Sequence, residues 1–173
     1  MTVEDGTGLA DANSYLSVAE ADAYWAERAN ANWAAATTVA KEAALVNASM
    51  YVDLRWGTSI SGTPVSAHQV LVFPRNGLPA CARGQTLPLR LKWAVAEYAS
   101  LALTGPLAPT PDASARTKYR VKVGPIEEET TYATEVGTGS IGMWRTYPFA
   151  DSLMACLSAA NTVGANQGRQ MRA

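Results

Sequence analysis

A chain of 173 residues can bury a substantial core as one domain without metal or disulfide staples. Charged residues make up 17% of it, below the roughly 25% of ordinary globular domains, and the formal net charge of −1 argues against a dedicated nucleic-acid binder, since Lys and Arg supply most phosphate affinity. The charge is uneven: residues 1–115 hold ten acids and seven bases and residues 116–173 five acids and seven bases, so only the later part offers phosphate a cationic excess.

Residues 1–13 read as an irregular arm. Ser17 and Glu20 have the spacing of a capping box and open a helix to about Asn30, with Ala21, Tyr24, Trp25 and Arg28 on one side and Asp22 and Glu27 in solvent. After the break at Asn30-Ala31-Asn32, Thr37 or Thr38 caps a second helix in which Ala44, Leu45, Ala48, Tyr51, Val52 and Arg55 recur at helical spacing, and Gly57 ends it. These two helices are expected to lie as an antiparallel pair on a third. Residues 57–87 are rich in Gly and Pro and read as loop; within it Leu71 and Phe73 tuck under the bundle and Arg75 is exposed.

The strongest helical period follows. Leu91, Ala94, Val95, Tyr98, Leu101 and Ala102 form one stripe, Pro88 suits the first turn, and Gly105-Pro106 stops the helix. The period then changes from 3.6 to 2. Tyr119, Val121 and Val123 alternate with Lys118, Arg120 and Lys122, and after Gly124-Pro125 come Glu127, Glu128 and Glu129. Pairing of these strands sets Lys122 near Glu127 and Arg120 near Glu129, while Pro125 is expected to exclude the tightest hairpin turns. Residues 137–146 are Gly-rich around Trp144. A short helix opening at Tyr147-Pro148 is expected to carry Leu153, Cys156, Leu157 and Ala160 on one side, before a tail from Asn161 to Ala173 with little to bury.

The fold class is therefore mainly α: a small bundle of about three core helices plus a short C-terminal helix, with a β-hairpin excursion. Three regions are expected, residues 1–112 as bundle core, 113–147 as hairpin and Gly-rich loop, and 148–173 as C-terminal helix and tail.

Sites for chemistry are sparse. His68 is the single histidine and no Ser in a nucleophile-elbow turn accompanies it. Metal-ligand spacings and phosphate-binding loops are missing, so no catalytic, metal or cofactor residues are assigned and an enzyme is not expected. Cys81 and Cys156 lie far apart in the chain and read as two free thiols. The opening residues lack a basic, apolar leader and no apolar run approaches the ~20 residues that span a bilayer. The expectation is a soluble protein made in a cytosol, with no membrane partner. The best DNA or partner contacts are Arg75, Arg116, Lys118, Arg120 and Lys122, with Tyr119 interleaved as single strands favour.

The run Ala12-Asn13-Ser14-Tyr15-Leu16-Ser17-Val18-Ala19-Glu20-Ala21-Asp22-Ala23-Tyr24-Trp25, with Trp33, the Lys41–Tyr51 stretch, Gln69-x-Leu71-x-Phe73-Pro74-Arg75, Leu87-Pro88 and Tyr147-Pro148, resembles a tailed-phage family often labelled "DnaT-like single-stranded DNA-binding". Its members look like head–tail connector adaptors. The resemblance implies a structural virion protein at the head–tail junction: a ring, usually of twelve copies, beneath the portal protein, receiving a head-closure or tail-side neck protein and passing duplex DNA that it touches weakly. The low charge, small-residue helix faces and loose termini suit an assembly part of that kind. The family label implies the alternative, a single-stranded DNA-binding protein of phage replication.

Overall fold

Residues 1–108, 119–123, 126–130 and 144–158 are described in a computed structural model. The chain divides into two compact units, residues 1–107 with 146–173, and residues 108–145.

The first unit is helical. α1 spans Val18–Ala26, and both arms of the Ser17–Glu20 capping box are present. It ends earlier than its pattern suggests, because Ala29 takes the left-handed region at φ 50, and a helix of L-residues does not continue through that conformation. The Asn30 side chain then caps α2, Ala31–Ala35, by accepting from the Trp33 N–H at 3.0 Å. This one-turn helix was hidden because the Asn that interrupts one apolar pattern also starts the next.

α3, Thr38–Trp56, is capped by Thr37 and buries Ala44, Leu45, Ala48, Tyr51 and Val52, as the periodicity predicts. α4, Leu89–Ala102, takes Pro88 as its N-cap and buries Leu91, Ala94, Val95 and Tyr98. Leu101, expected on that stripe, is 36% exposed, and Ala96 and Ala99 are fully buried instead. The buried arc of α4 is therefore wider than one stripe, since neighbours cover two sides: α3 and α5 (Pro148–Ala155) make its broad contacts and α1 a narrower one. The expected α1–α3 pair on α4 is replaced by an α3–α4–α5 layer. On α5 the buried residues are Ala150 and Met154, followed by Leu157 beyond its end, rather than a Leu153–Cys156 side.

Polar groups fasten this unit at several places. The N-terminal arm is tied down: Glu4 is 1% exposed, and its carboxylate accepts from the N–H groups of Gly6, Gly8 and Leu9, each at 2.9 Å. A left-handed Gly8 is required there, because a Cβ on it would stand 2.6 Å from that of Ser66. Asp22 stays in solvent as expected, its side chain 46% exposed, and also accepts from the Trp33 indole at 2.7 Å and the Lys41 ammonium at 2.9 Å. Those two donors, the Lys41 bond foremost and only partly opposed by burial, hold its carboxyl below the usual carboxylate range.

The loop after α3 is organised by hydrogen bonds rather than by ladders. Short β1, Thr63–Pro64, pairs antiparallel with β2, Arg75–Asn76, and a 3-10 turn follows at Ala80–Ala82. Phe73 is buried, as expected, beside a cis Phe73–Pro74 bond. The Gln69 amide donates to the carbonyls of Leu71, Val72 and Pro74, and the Tyr15 hydroxyl donates to Asp53 while accepting from the Phe73 N–H at 3.1 Å. Asp53 also accepts from the Val72 N–H at 3.0 Å. Burial pushes the Asp53 carboxyl up to about 6, against the pull of these two bonds, and pushes the Tyr15 hydroxyl upward as well.

The second unit contains an antiparallel hairpin of β3, Tyr119–Val123, and β4, Ile126–Thr130. Its register sets Arg120 opposite Glu129 and Lys122 opposite Glu127, the pairing expected from the charges. Val123 stands opposite Ile126, so two residues connect the strands; this is the tight connection that Pro125 was expected to exclude. Arg116 and Lys118, the Gly124-Pro125 turn, residues 137–143, Ala160 and the tail 161–173 lie outside the described residues.

Candidate nucleic-acid interface

Single strands are held by cations that meet phosphates and by aromatic faces that meet bases. Each candidate cation can be judged by whether a carboxylate or a carbonyl already occupies it.

Arg75 is occupied. Its Nε donates to the Ser61 carbonyl at 2.9 Å and one terminal nitrogen to the Gly62 carbonyl at 2.6 Å, so this half-buried guanidinium holds the β1–β2 loop to the segment after α3. Arg75 was expected to be exposed and is half-buried instead, because the loop folds back and presents carbonyls that need a donor. Arg120 and Lys122 lie on β3, in register with Glu129 and Glu127 of β4.

Sequence reasoning passed over two better cations. Arg83 caps the 3-10 turn in the left-handed region at φ 54, and Arg90 lies in the first turn of α4. Both are exposed, and among the described residues neither has a carboxylate partner. The available signal was the stretch from residue 54 to residue 96, which holds five bases and no acid. Arg55 and Lys92, by contrast, are paired with Asp151 at 2.6 Å and Glu20 at 2.5 Å.

Clefts of the helical unit could offer aromatic faces to bases. One of about 400 Å³ lies beside Trp25, Trp33 and Asn30, but its one cation, Lys41, is neutralised by Asp22. Another, about 340 Å³, places the 36%-exposed Trp93 with Leu89 and Tyr24. Glu20 and Glu27 line it, and Lys92 is spent on the first of them. That wall offers a base a stacking face and repels its phosphates. Among the described residues no group of three or more His, Cys, Asp or Glu is placed to hold a metal ion, and no described helix is long and apolar enough to cross a membrane.

Comparison with known proteins bears on which ligand these cations serve. No curated protein and no solved structure matches the chain. A family model described as "Putative DnaT-like ssDNA binding protein" matches residues 1–173. This match corrects the expectation of a virion neck connector beneath a portal, with its portal, head-closure and ring partners and lumenal duplex, because the family is named for single-stranded DNA.

The structure shows why the sequence misled. The small-residue helix faces read as suited to an assembly part, yet Ala44, Ala48, Ala94, Ala96 and Ala99 are at most 3% exposed and serve close packing of helices within the chain, and the N-terminal arm read as loose is fastened by buried Glu4. With its whole length covered, the chain belongs to the DnaT-like single-stranded-DNA-binding family.

Proposed function

We propose that the protein binds single-stranded DNA through the phosphate backbone, without reading base sequence and without chemistry on the strand. The family match over residues 1–173 carries this reading. Exposed Arg83 and Arg90 support it, as cations without carboxylate partners among the described residues. Arg116, Lys118, Arg120 and Lys122 are the second set of candidate contacts, from the more basic part of the sequence.

A chain of net charge −1 has little long-range attraction for a polyanion, so binding rests on a few local cations. Neutralising two to four phosphates on a single strand gives a log–log salt slope of about −1.5 to −3. Fluorescence anisotropy of a labelled oligo-dT across a salt series tests the reading. The expected result is binding at low salt with that slope, preference over duplex of the same length, and weakening by Lys118→Glu with Arg120→Glu or by Arg83→Glu with Arg90→Glu. Absence of binding at low salt, or equal affinity for duplex, overturns it.

A further inference from the structure

Cys81 and Cys156 are 75 residues apart in the sequence, one in the 3-10 turn Ala80–Ala82 and the other at the C-cap of α5. The fold brings them together. The Cys81 thiol donates to the Cys156 carbonyl at 3.1 Å, and the Arg90 guanidinium is near enough to Cys156 to act on its thiol. Both thiols are free and half-buried.

The backbone around each is fixed. Ala82, next to Cys81, is 1% exposed and donates its N–H to the Pro79 carbonyl at 2.8 Å. On the other side the Ser61 N–H donates to the Leu157 carbonyl at 3.2 Å, and Ile60 bridges to Ser158. A Cys81 sulfur 3.1 Å from the Cys156 carbonyl oxygen, on backbone anchored at both sides, makes these two residues near neighbours, as a disulfide needs, because it tolerates little separation and little backbone movement.

We propose that Cys81 and Cys156 form a disulfide-forming pair, a covalent modification site that joins the 3-10 turn to the end of α5 on encounter with a low-molecular-weight disulfide such as oxidised glutathione. The step balances by thiol–disulfide exchange. The Cys81 thiolate attacks one glutathione sulfur, breaks the S–S bond and releases one glutathione thiolate. Cys156 then gives its proton to solvent and attacks the Cys81 sulfur of the mixed disulfide, expelling the second glutathione. Two protein thiols lose two electrons, and one glutathione disulfide becomes two thiols.

The order follows from the surroundings of Cys156. Burial, reinforced by the hydrogen bond with Cys81, pushes its thiol up to about 11, so it is protonated at neutral pH and a poor first nucleophile. Arg90 opposes that shift and favours the Cys156 thiolate in the second step. α5 would then be fastened at both ends, by the Asp151–Arg55 ion pair in its first turn and by sulfur at its cap.

The native full-length chain, incubated with excess oxidised glutathione in mildly alkaline buffer, tests the proposal by non-reducing mass spectrometry and thermal melting. The expected product has lost two hydrogens, yields a Cys81–Cys156 linked peptide, and melts about 5–15 °C higher until dithiothreitol reverses it, because a long loop is closed. Cys156→Ser and Cys81→Ser should each take up at most one glutathione and form no internal link. Two adducts per wild-type chain, an unchanged mass, a link between chains, or a link formed only in urea would each overturn the pairing.

Discussion

Arg55 near the end of α3 and Asp151 in the first turn of α5 form an ion pair at 2.6 Å, their side chains only 13% and 14% exposed. The same carboxylate accepts from the Tyr98 hydroxyl at 2.6 Å and from the Tyr147 N–H at 2.9 Å, so one acid ties α3, α4 and the start of α5. Tyr51, Tyr98 and Tyr147 surround it with ring centroids 5.0–6.1 Å apart, and little water reaches it to replace a lost partner. Asp151→Asn leaves the Arg55 charge half-paired in that shell. A loss of about 3 kcal/mol is expected, in the range for breaking one side of a buried pair. Arg55→Met combined with Asp151→Asn should cost less than the sum of the two single changes. Urea unfolding of the four proteins measures the coupling.

Asp53 makes stability fall with rising pH, opposite to most carboxylates. Its folded-state value of about 6 lies above the 3.8 of a free Asp, chiefly because burial penalises the charge. The folded chain therefore holds the proton that the unfolded chain has released between those values. The contribution is complete below pH 4 and is lost as pH rises through 6, worth about 3 kcal/mol in all. Asp53→Asn keeps the shape and removes the titration. Wild-type stability minus that of the variant should fall by about 2–3 kcal/mol from pH 4 to pH 7, read from urea midpoints. Asp22, with its lowered carboxyl, pulls the other way but is common to both proteins and cancels.

What could be read from the sequence was local or periodic. The Ser17–Glu20 box, the Thr37 cap, and the buried faces of α3 and most of α4 follow from spacings of a few residues. So does the nearness of Arg120 to Glu129 and of Lys122 to Glu127 if the strands pair, though not the exact register of the hairpin. The misreadings depend on partners far away in the chain. The partner of Asp22 is unreadable until α3 delivers Lys41 beside it, and Arg75 looks exposed until the chain near Ser61 and Gly62 returns with bare carbonyls. Cys81 and Cys156 show nothing in their spacing because the fold supplies their proximity. The candidate interface was read least well. Sequence marks where cations are, but only packing marks which ones are already occupied, and that distinction sets Arg83 and Arg90 apart from Arg55, Arg75 and Lys92.

Glu4 shows the same principle in the N-terminal arm. Its two carboxylate oxygens accept three backbone N–H groups in an otherwise dry site. Glu4→Gln replaces one acceptor oxygen with an amide donor, which then faces an N–H. Hydrogen bonds to a charged acceptor are worth about 1.5–3 kcal/mol each, and one or two are lost, so a destabilisation of about 2–3 kcal/mol is expected. Hydrogen exchange should speed up at Leu9, or at Gly6 and Gly8 together, according to which oxygen the amide nitrogen replaces. Unchanged exchange at all three would mean that the arm is held by something other than this carboxylate.

The electrostatic reading of DNA binding is sharpest at Arg83 and Arg90. Both side chains are exposed, so Arg83→Glu with Arg90→Glu should leave the melting temperature nearly unchanged while affecting the ligand directly. Each cation removed from a phosphate contact takes about 0.7 from the magnitude of the single-strand salt slope, so the double change should flatten it by about 1.4. Affinity for oligo-dT at low salt should drop at least tenfold. Trp93→Ala serves as the control: Trp93 is exposed, but it stands among Glu20 and Glu27, where a phosphate strand is repelled, and its loss should change oligonucleotide affinity less than twofold. The reverse pattern, with Trp93 sensitive and the arginines silent, would move the strand to the α1–α4 cleft and require the acids there to be neutralised on binding.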